Sequence, residues 1–171
     1  MKIHGYSIWL VPESHVGQEL ESQIERLAAQ HTGTYFGAHI TLLGEIPLST
    51  PESEVLEKVT TLAESQPAFD ITLEGVNTED FFYRSLYITV RQDQPLMGLN
   101  KSAQEAFGMH GEYFPHLSLA YGSIAPEKKQ AMLETVPNRT GKRVRIDRID
   151  VYKIDGSVDD WKKLWEFRLV S

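Results

Sequence analysis

The most constraining feature of the chain is a segment that occurs twice. The sequence reads GTYFGAHITLLGEI from Gly33 and GEYFPHLSLAYGSI from Gly111. Both copies run glycine, any residue, tyrosine, phenylalanine, a short spacer, histidine, an aliphatic residue, a hydroxyl residue and leucine. The two histidines, His39 and His116, are 116 − 39 = 77 residues apart. This period is too long for a solenoid repeat and occurs only twice, so the pattern indicates an old duplication of one unit.

Predicted strands and helices alternate around each copy. Residues 5–12 favour a strand, and VGQELESQIERLAAQ places apolar residues at helical spacing. A helix with Thr50 as its N-cap is predicted after the first copy, and a helix from Pro126 after the second. The strand FFYRSLYITV is predicted to close the first half, and the second half to begin near Pro95. The duplication therefore predicts an α+β fold of two related lobes with a cleft between their sheets.

The composition limits the size, the partners and the location of the protein. A chain of 171 residues suits one domain that buries roughly 70% of its unfolded surface, so we expect a single bilobal domain over 1–171. The net charge of −7 argues against coating long nucleic acid. The lack of cysteine fits a reducing compartment, and no segment is apolar enough for a signal peptide or a membrane span. We expect a soluble cytoplasmic protein.

Each copy of the repeated segment offers an imidazole beside a hydroxyl. Residues i and i+2 of a strand project to the same face, which pairs His39 with Thr41 and His116 with Ser118. One such pair alone is most simply a histidine whose ring nitrogen is satisfied by a neighbouring hydroxyl. Two pairs at matching positions of a duplicated unit favour a shared functional site. The four other histidines lack this hydroxyl and are predicted to lie on the surface or in turns: His4, His15, His31 and His110.

Two imidazoles and two hydroxyls around one site suit the cleavage of a phosphodiester without a metal ion. An unperturbed histidine titrates near about pH 6.5, so one neutral imidazole can take a proton while a second, protonated imidazole gives one. The two hydroxyls can donate hydrogen bonds to the nonbridging phosphate oxygens and stabilise the charge of a pentacoordinate transition state.

The motifs HIT and HLS resemble the twin His-x-Thr/Ser signatures of the two-histidine (2H) phosphoesterase superfamily. YSIWLVP, FFYRSLYITV and PHLSLAYG further resemble its cyclic nucleotide phosphodiesterase branch, known from plants and yeast. The resemblance implies a bilobal fold of two antiparallel sheets flanked by helices, and metal-independent opening of cyclic phosphates. The implied substrates are ADP-ribose 1″,2″-cyclic phosphate, which gives the 1″-phosphate, and nucleoside 2′,3′-cyclic phosphates, which give 2′-phosphates. By this resemblance, the catalytic residues are His39, Thr41, His116 and Ser118.

Three aromatic residues are candidates for substrate binding. Trp9 occupies a place where the family pattern has an aromatic near the ligand, although a core tryptophan would fit equally well. Tyr83 lies on the polar face of its predicted strand, where it could stack on a base. Tyr121 matches a tyrosine that follows the second motif in the family. Strict alternation places it on the face opposite that motif, so it can serve the site only if the strand ends or twists before Gly122.

Other hydrolase classes fit the sequence poorly. A zinc hydrolase needs three or four ligands, and neither a His-Glu-x-x-His pattern nor an acidic cluster accompanies the two motifs. A serine hydrolase would place its nucleophile in Gly-x-Ser-x-Gly, whereas Ser118 lies within PHLSLAYG. Two alternatives stay open: a module that holds a nucleotide or an RNA end without cleaving it, and an RNA-end-processing or 2′,5′-phosphodiesterase of the same superfamily, which the acidic charge disfavours.

The expected partner is therefore a small-molecule cyclic phosphate. We expect no long nucleic acid, no membrane, no cofactor and no metal, and a monomeric protein. By analogy with the cyclic phosphodiesterases, His116 is predicted to be the general base and His39 the general acid.

Overall fold

The computed structural model describes residues 2–171, apart from the side chain of Thr32. In this part of the chain seven strands alternate with four helices. Their order is β1 (Ile3–Pro12), α1 (His15–Leu27), β2 (Ile40–Ile46), α2 (Glu52–Ser65), β3 (Phe69–Thr78), β4 (Leu86–Val90), α3 (Gln94–Phe107), β5 (His116–Ala120), α4 (Pro126–Thr135), β6 (Arg143–Gly156) and β7 (Lys162–Arg168). A π-helical turn follows α1 at Ala28–Thr32, and 3-10 turns lie at Phe82–Arg84 and Val158–Asp160. None of these helices is long and apolar enough to cross a membrane.

All seven strands belong to one antiparallel sheet, in the order β1-β2-β5-β4-β3-β6-β7. Strand β6 also pairs with β1, so six strands close into a barrel and β7 is added at the side of β6. The expected separation into two lobe sheets is therefore wrong. On one side, the pairing of Ile40 with Leu117 joins β2 to β5. On the other side, the 14-residue β6 pairs with β3 near Ile146 and with β1 as far as Gly156.

The duplication is visible in the order of the elements. The series β-α-β-α-β occurs first as β1-α1-β2-α2-β3 and again as β4-α3-β5-α4-β6. Exchanging β1 with β4, β2 with β5 and β3 with β6 preserves every neighbour around the barrel. The second half therefore begins at β4, and the prediction that it begins near Pro95 is wrong. The strand in FFYRSLYITV pairs with β3 in a hairpin, and its other edge pairs with β5 as β1 pairs with β2.

Helices cover one face of the sheet and leave the other face for the site. Helix α1 contacts β1 and β5, and α3 contacts β2. Ser14 caps α1 by accepting a hydrogen bond from the Gly17 amide, while α2 begins after Pro51 rather than at the predicted Thr50 cap. The fully buried strand residues on the helix-covered face include Ile8, Leu10, Ile40, Leu42, Leu117 and Leu119. The alternate residues of the same strands project to the opposite face, because the side-chain period of a strand is two.

Candidate active site

The opposite face of the histidine strands lines a cavity of about 420 Å³. Because β2 and β5 are antiparallel neighbours, the two copies of the repeated motif lie side by side. The residues predicted from the sequence that line this cavity are Trp9, His39, Thr41, Tyr83, His116, Ser118 and Tyr121. The structure therefore brings all seven predicted site residues together.

Both histidine rings are held by the same backbone contact. The Nδ1 atom of His39 lies 2.6 Å from the carbonyl oxygen of Gly37, and that of His116 lies 2.8 Å from the carbonyl oxygen of Phe114. In each case the partner is two residues earlier in the chain. A carbonyl can only accept, so Nδ1 carries the hydrogen and donates it. Each neutral ring therefore keeps Nε2 as its proton acceptor.

Burial makes both imidazoles weak bases. Desolvation lowers the pKa of His39 from 6.5 to about 4; the Gly37 carbonyl opposes this shift, and the nearby imidazole of His116 adds to it. Desolvation also lowers the pKa of His116, against the effect of the Phe114 carbonyl. Both rings are consequently neutral near pH 7 in the free protein. A bound anionic phosphate would favour their protonated forms, because an opposite charge stabilises an imidazolium.

His39 belongs to a stack of three rings. Its imidazole lies 3.6 Å from the ring centre of Trp9 at an interplanar angle of 8°, and Tyr152 stacks on the indole at 3.8 Å and 21°. The indole Nε1 donates a 2.7 Å hydrogen bond to Ser7 Oγ, and the edge of Phe36 meets the imidazole at 80°. These contacts fix the plane of the His39 ring. Trp9 thus contacts the proposed catalytic histidine directly.

The hydroxyls beside the histidines differ in their contacts. Ser118 is buried, and its Oγ donates a 2.8 Å hydrogen bond to the carbonyl oxygen of Tyr83. Thr41 is half-buried at the cavity wall, and its own carbonyl accepts a 3.1 Å hydrogen bond from the Tyr113 hydroxyl. Both residues thus line the same cavity as the histidine of their own motif, as the i, i+2 spacing predicts.

Tyr83 lines the cavity, but it does so from a turn rather than a strand. The predicted strand FFYRSLYITV begins only at Leu86, and Tyr83 belongs to the 3-10 turn Phe82–Arg84. The carbonyl of Phe82 accepts a 2.8 Å hydrogen bond from the Gly122 amide, and the hydroxyl of Ser85 donates to the Gly122 carbonyl. These hydrogen bonds connect the 3-10 turn to the residues just after β5, in place of further pairing between strands.

Tyr121 reaches the cavity because β5 ends one residue before it. The strand stops at Ala120, which removes the alternation that would have directed Tyr121 to the other face. Its ring stacks on Phe36 at 3.6 Å and 12° and meets the edge of Tyr83 at 5.4 Å. Burial raises the pKa of Tyr121, so its hydroxyl stays protonated at neutral pH.

The sequence did not point to Tyr152, which stacks on Trp9, or to the cavity-wall residues Arg84 and His110. Tyr152 was missed because its stacking depends on the pairing of β1 with β6. Arg84 lines the cavity and forms an ion pair with Glu79 in which Nη2 lies 3.0 Å from Oε1, so the pKa of Glu79 is lowered. His110, predicted to be a surface residue, is exposed and lies at the cavity wall.

The other predicted surface histidines agree with the structure, since His4 and His15 are exposed and His31 is half-buried. Within residues 2–171, no group of three or more histidine, aspartate or glutamate side chains is arranged to hold a metal ion.

Comparison with known proteins places the chain in a family. The family model described as the 2′-5′ RNA ligase superfamily matches residues 12–158. A cyclic phosphodiesterase from Arabidopsis thaliana is 23% identical over 94% of this chain and 91% of the relative. A 2′,3′-cyclic-nucleotide 3′-phosphodiesterase from Phaeosphaeria nodorum is 27% identical over 96% of this chain and 99% of the relative.

The fold is also similar to solved structures. Escherichia coli LigT, in its complex with 3′-AMP, superposes with a TM-score of 0.61 at 16% identity, covering 98% of this chain and 99% of that one. TT0787 of Thermus thermophilus superposes with a TM-score of 0.61 at 17% identity, covering 96% and 97%. At this identity the likeness shows the fold alone. The family match over residues 12–158 shows more: the chain belongs to the 2′-5′ RNA ligase superfamily, the two-histidine phosphoesterases that its paired His-x-Thr/Ser motifs resemble.

Proposed function

We propose that this protein is a metal-independent cyclic phosphodiesterase that opens nucleoside 2′,3′-cyclic phosphates, ADP-ribose 1″,2″-cyclic phosphate, or both. The products are the 2′-phosphate and the 1″-phosphate. The observation that carries the proposal is the pair His39 and His116, each oriented by the same Nδ1 contact at one cavity. The names of its relatives support the substrate class: one is a cyclic phosphodiesterase, and another is a 2′,3′-cyclic-nucleotide 3′-phosphodiesterase.

Ring opening needs one base and one acid on opposite sides of the phosphorus atom. In a 2′,3′-cyclic phosphate, the base takes a proton from water while the water oxygen bonds to phosphorus. The bond from phosphorus to the 3′ oxygen breaks, and the acid gives that oxygen a proton. We assign His116 as the base and His39 as the acid. In each ring the Nδ1–H bond to a carbonyl leaves Nε2 to transfer the proton.

Because burial lowers the pKa of both imidazoles, the proposed acid His39 lacks in the free protein the proton that it must donate. His39 is neutral near pH 7, since burial lowers its pKa to about 4. It must therefore gain a proton when the anionic substrate binds, and the negative phosphate provides the favourable charge. His116 is also neutral in the free protein, which is the state that a base requires. Substrate binding is thus coupled to the uptake of one proton.

The hydroxyls and the remaining aromatic rings serve the phosphate and the histidines. Thr41 and Ser118 donate to the nonbridging oxygens, and Ser118 exchanges its bond with the Tyr83 carbonyl for a bond with the phosphate. Trp9 holds the imidazole of His39 in plane, and Tyr121 closes the cavity beside it. In this proposal each half of the duplication, β1–β3 and β4–β6, contributes one histidine and one hydroxyl.

The proposed substrate is a small molecule, and we propose that the enzyme acts as a cytoplasmic monomer without a cofactor. The acidic charge of −7 supports a small anionic ligand in a local pocket over long nucleic acid. The absence of cysteine fits a reducing compartment.

The test is turnover of adenosine 2′,3′-cyclic phosphate in EDTA, with the product identified by phosphorus NMR. We expect hydrolysis to the 2′-phosphate to persist in chelator. His39→Ala and His116→Ala should each lower kcat by about 10²- to 10⁴-fold, the usual contribution of one general acid or base. The matched control is His15→Ala, an exposed histidine at the start of α1. Loss of activity in EDTA that zinc restores would refute the metal-free mechanism, and binding without turnover would favour the non-catalytic module.

A further inference from the structure

We infer that Phe81, Arg84 and Phe114 form a stacking platform for the base of a nucleoside 2′,3′-cyclic phosphate. This inference rests on the proposed function and adds a base-binding subsite to it. The platform lies at the wall of the cavity that holds the histidine pair, on the side of His116.

The two phenyl rings of the platform are open to solvent. Phe81 and Phe114 are each 42% exposed, whereas Trp9 and Tyr121 in the same cavity are each 4% exposed. Apolar surface gains free energy when a ligand removes it from water. Every nucleobase has a flat π-face that can cover such a ring. The exposed rings at the cavity wall therefore fit a planar heterocycle.

Arg84 makes the platform rigid. Its guanidinium carbon lies 5.1 Å from the ring centre of Phe114 and 5.7 Å from that of Phe81, distances at which a cation and a ring attract each other. Two hydrogen bonds to Glu79 hold the guanidinium, and Lys129 Nζ donates a 2.6 Å hydrogen bond to the Glu79 carbonyl. A surface that is already ordered loses little entropy when a ligand binds.

The platform adjoins the reacting centre through Phe114. Its ring lies 5.7 Å from the ring of His116 at 25°, and its carbonyl accepts the Nδ1–H bond that orients this histidine. In a nucleoside 2′,3′-cyclic phosphate, one ribose carries both the base and the phosphate. A base on the Phe114 ring therefore leaves the phosphate within reach of the neighbouring imidazole.

Tyr83, which the sequence suggested for base stacking, is less suited to that role. Its ring is half-buried and surrounded by other rings: Phe82 at 4.9 Å, Tyr121 at 5.4 Å and Trp161 at 5.8 Å. The exposed rings of the platform lie beside it and have the free surface that stacking requires.

The test compares two substrates in two variants, Phe81→Leu and Phe114→Leu. The substrates are adenosine 2′,3′-cyclic phosphate and methyl riboside 2,3-cyclic phosphate, which has a methoxy group in place of the base. We expect KM for the adenosine substrate to rise by about 5-fold or more relative to the base-free substrate, since stacking of one base has about this effect or a larger one. The matched control is Phe107→Leu, whose ring also packs against a cation, Lys58 at 5.0 Å, but does not line the cavity.

An equal rise in KM for both substrates would overturn the inference, because the rings would then act on His116 rather than on the base. No change with either substrate would also overturn it. If wild type hydrolyses neither substrate, the proposed activity on nucleoside 2′,3′-cyclic phosphates fails, and the platform is tested by calorimetry with adenosine 2′-phosphate and ribose 2-phosphate. Tighter binding of the adenosine compound that Phe114→Leu abolishes would support the platform, and equal binding of the two would refute it.

Discussion

Protonation of His39 should destabilise the folded protein below neutral pH. The ring is 6% exposed, and burial lowers its pKa from 6.5 to about 4. In the unfolded chain the imidazole takes up a proton as the pH falls through 6.5, while the folded chain does so only near 4. The unfolded state therefore binds more protons over this window, and the stability that the neutral ring provides is lost as the pH falls.

The size of the effect follows from the two pKa values of His39. At about 1.36 kcal/mol for each pKa unit, the full loss below pH 4 is about 3 kcal/mol. At pH 4.5 the folded ring is still mostly neutral and the unfolded ring is charged, so about 2.5 kcal/mol is already lost. That amount is a large fraction of the roughly 5–15 kcal/mol that typically stabilises a domain.

The assay is urea unfolding of wild type and His39→Gln at pH 7.5 and pH 4.5. Carboxylates that titrate in this range are common to both proteins and cancel in the comparison. We expect the fall in unfolding free energy between the two pH values to be about 2.5 kcal/mol larger in wild type than in the variant. His15→Gln, which removes an exposed histidine, should behave as wild type. Equal falls in wild type and His39→Gln would show that His39 titrates normally and would refute this reasoning.

Three further predictions concern the proposed catalytic groups. Thr41→Ala and Ser118→Ala should each lower kcat/KM by about 10-fold to several hundred-fold, measured with a cyclic nucleotide, since each removes one donor to the phosphate; unchanged rates would remove these hydroxyls from the mechanism. A substrate with a much better leaving group should rescue His39→Ala far more than His116→Ala, because the acid is then less needed; the opposite pattern would reverse the assigned roles. Trp9→Leu should raise the pKa of His39 in an NMR titration, because it admits water to the stacked imidazole; an unchanged pKa would contradict the effect of desolvation.

The candidate site was predictable because its signals are the spacing within each motif and the repetition of that motif along the sequence. The i, i+2 spacing fixed which hydroxyl lies beside which histidine, and the duplication predicted that His39 and His116 belong together. Even the condition for Tyr121 could be stated in advance, since it depended only on where one strand ends. What the sequence could not state is whether that strand would end at Ala120.

The features that sequence reasoning missed depend on pairing between distant segments. Tyr152 stacks on Trp9 only because β6 lies beside β1, with Ser7 opposite Tyr152 in the register. The closure of one barrel in place of two sheets likewise needs β6 to pair at both of its edges. The hydrophobic periodicity of a strand indicates which of its faces is buried, but it does not indicate which strand lies next to it. The ion pair of Arg84 with Glu79 depends on the path of a loop, which the sequence pattern leaves open.

The pairing of β1 with β6 also determines when the site can form as the chain is made. The register runs from Pro12 opposite Ile146 to Ile3 opposite Gly156, so the first strand finds this partner only after residues 146–156 have been synthesised. Until then one edge of β1 is unpaired, and Tyr152 is not yet available to the stack on His39. Contacts between such distant residues slow folding, because a long loop must close before they are gained. The nascent chain therefore leaves backbone N–H and C=O groups of β1 without their β6 partners until late in synthesis, and His39 reaches its final environment only when β6 arrives.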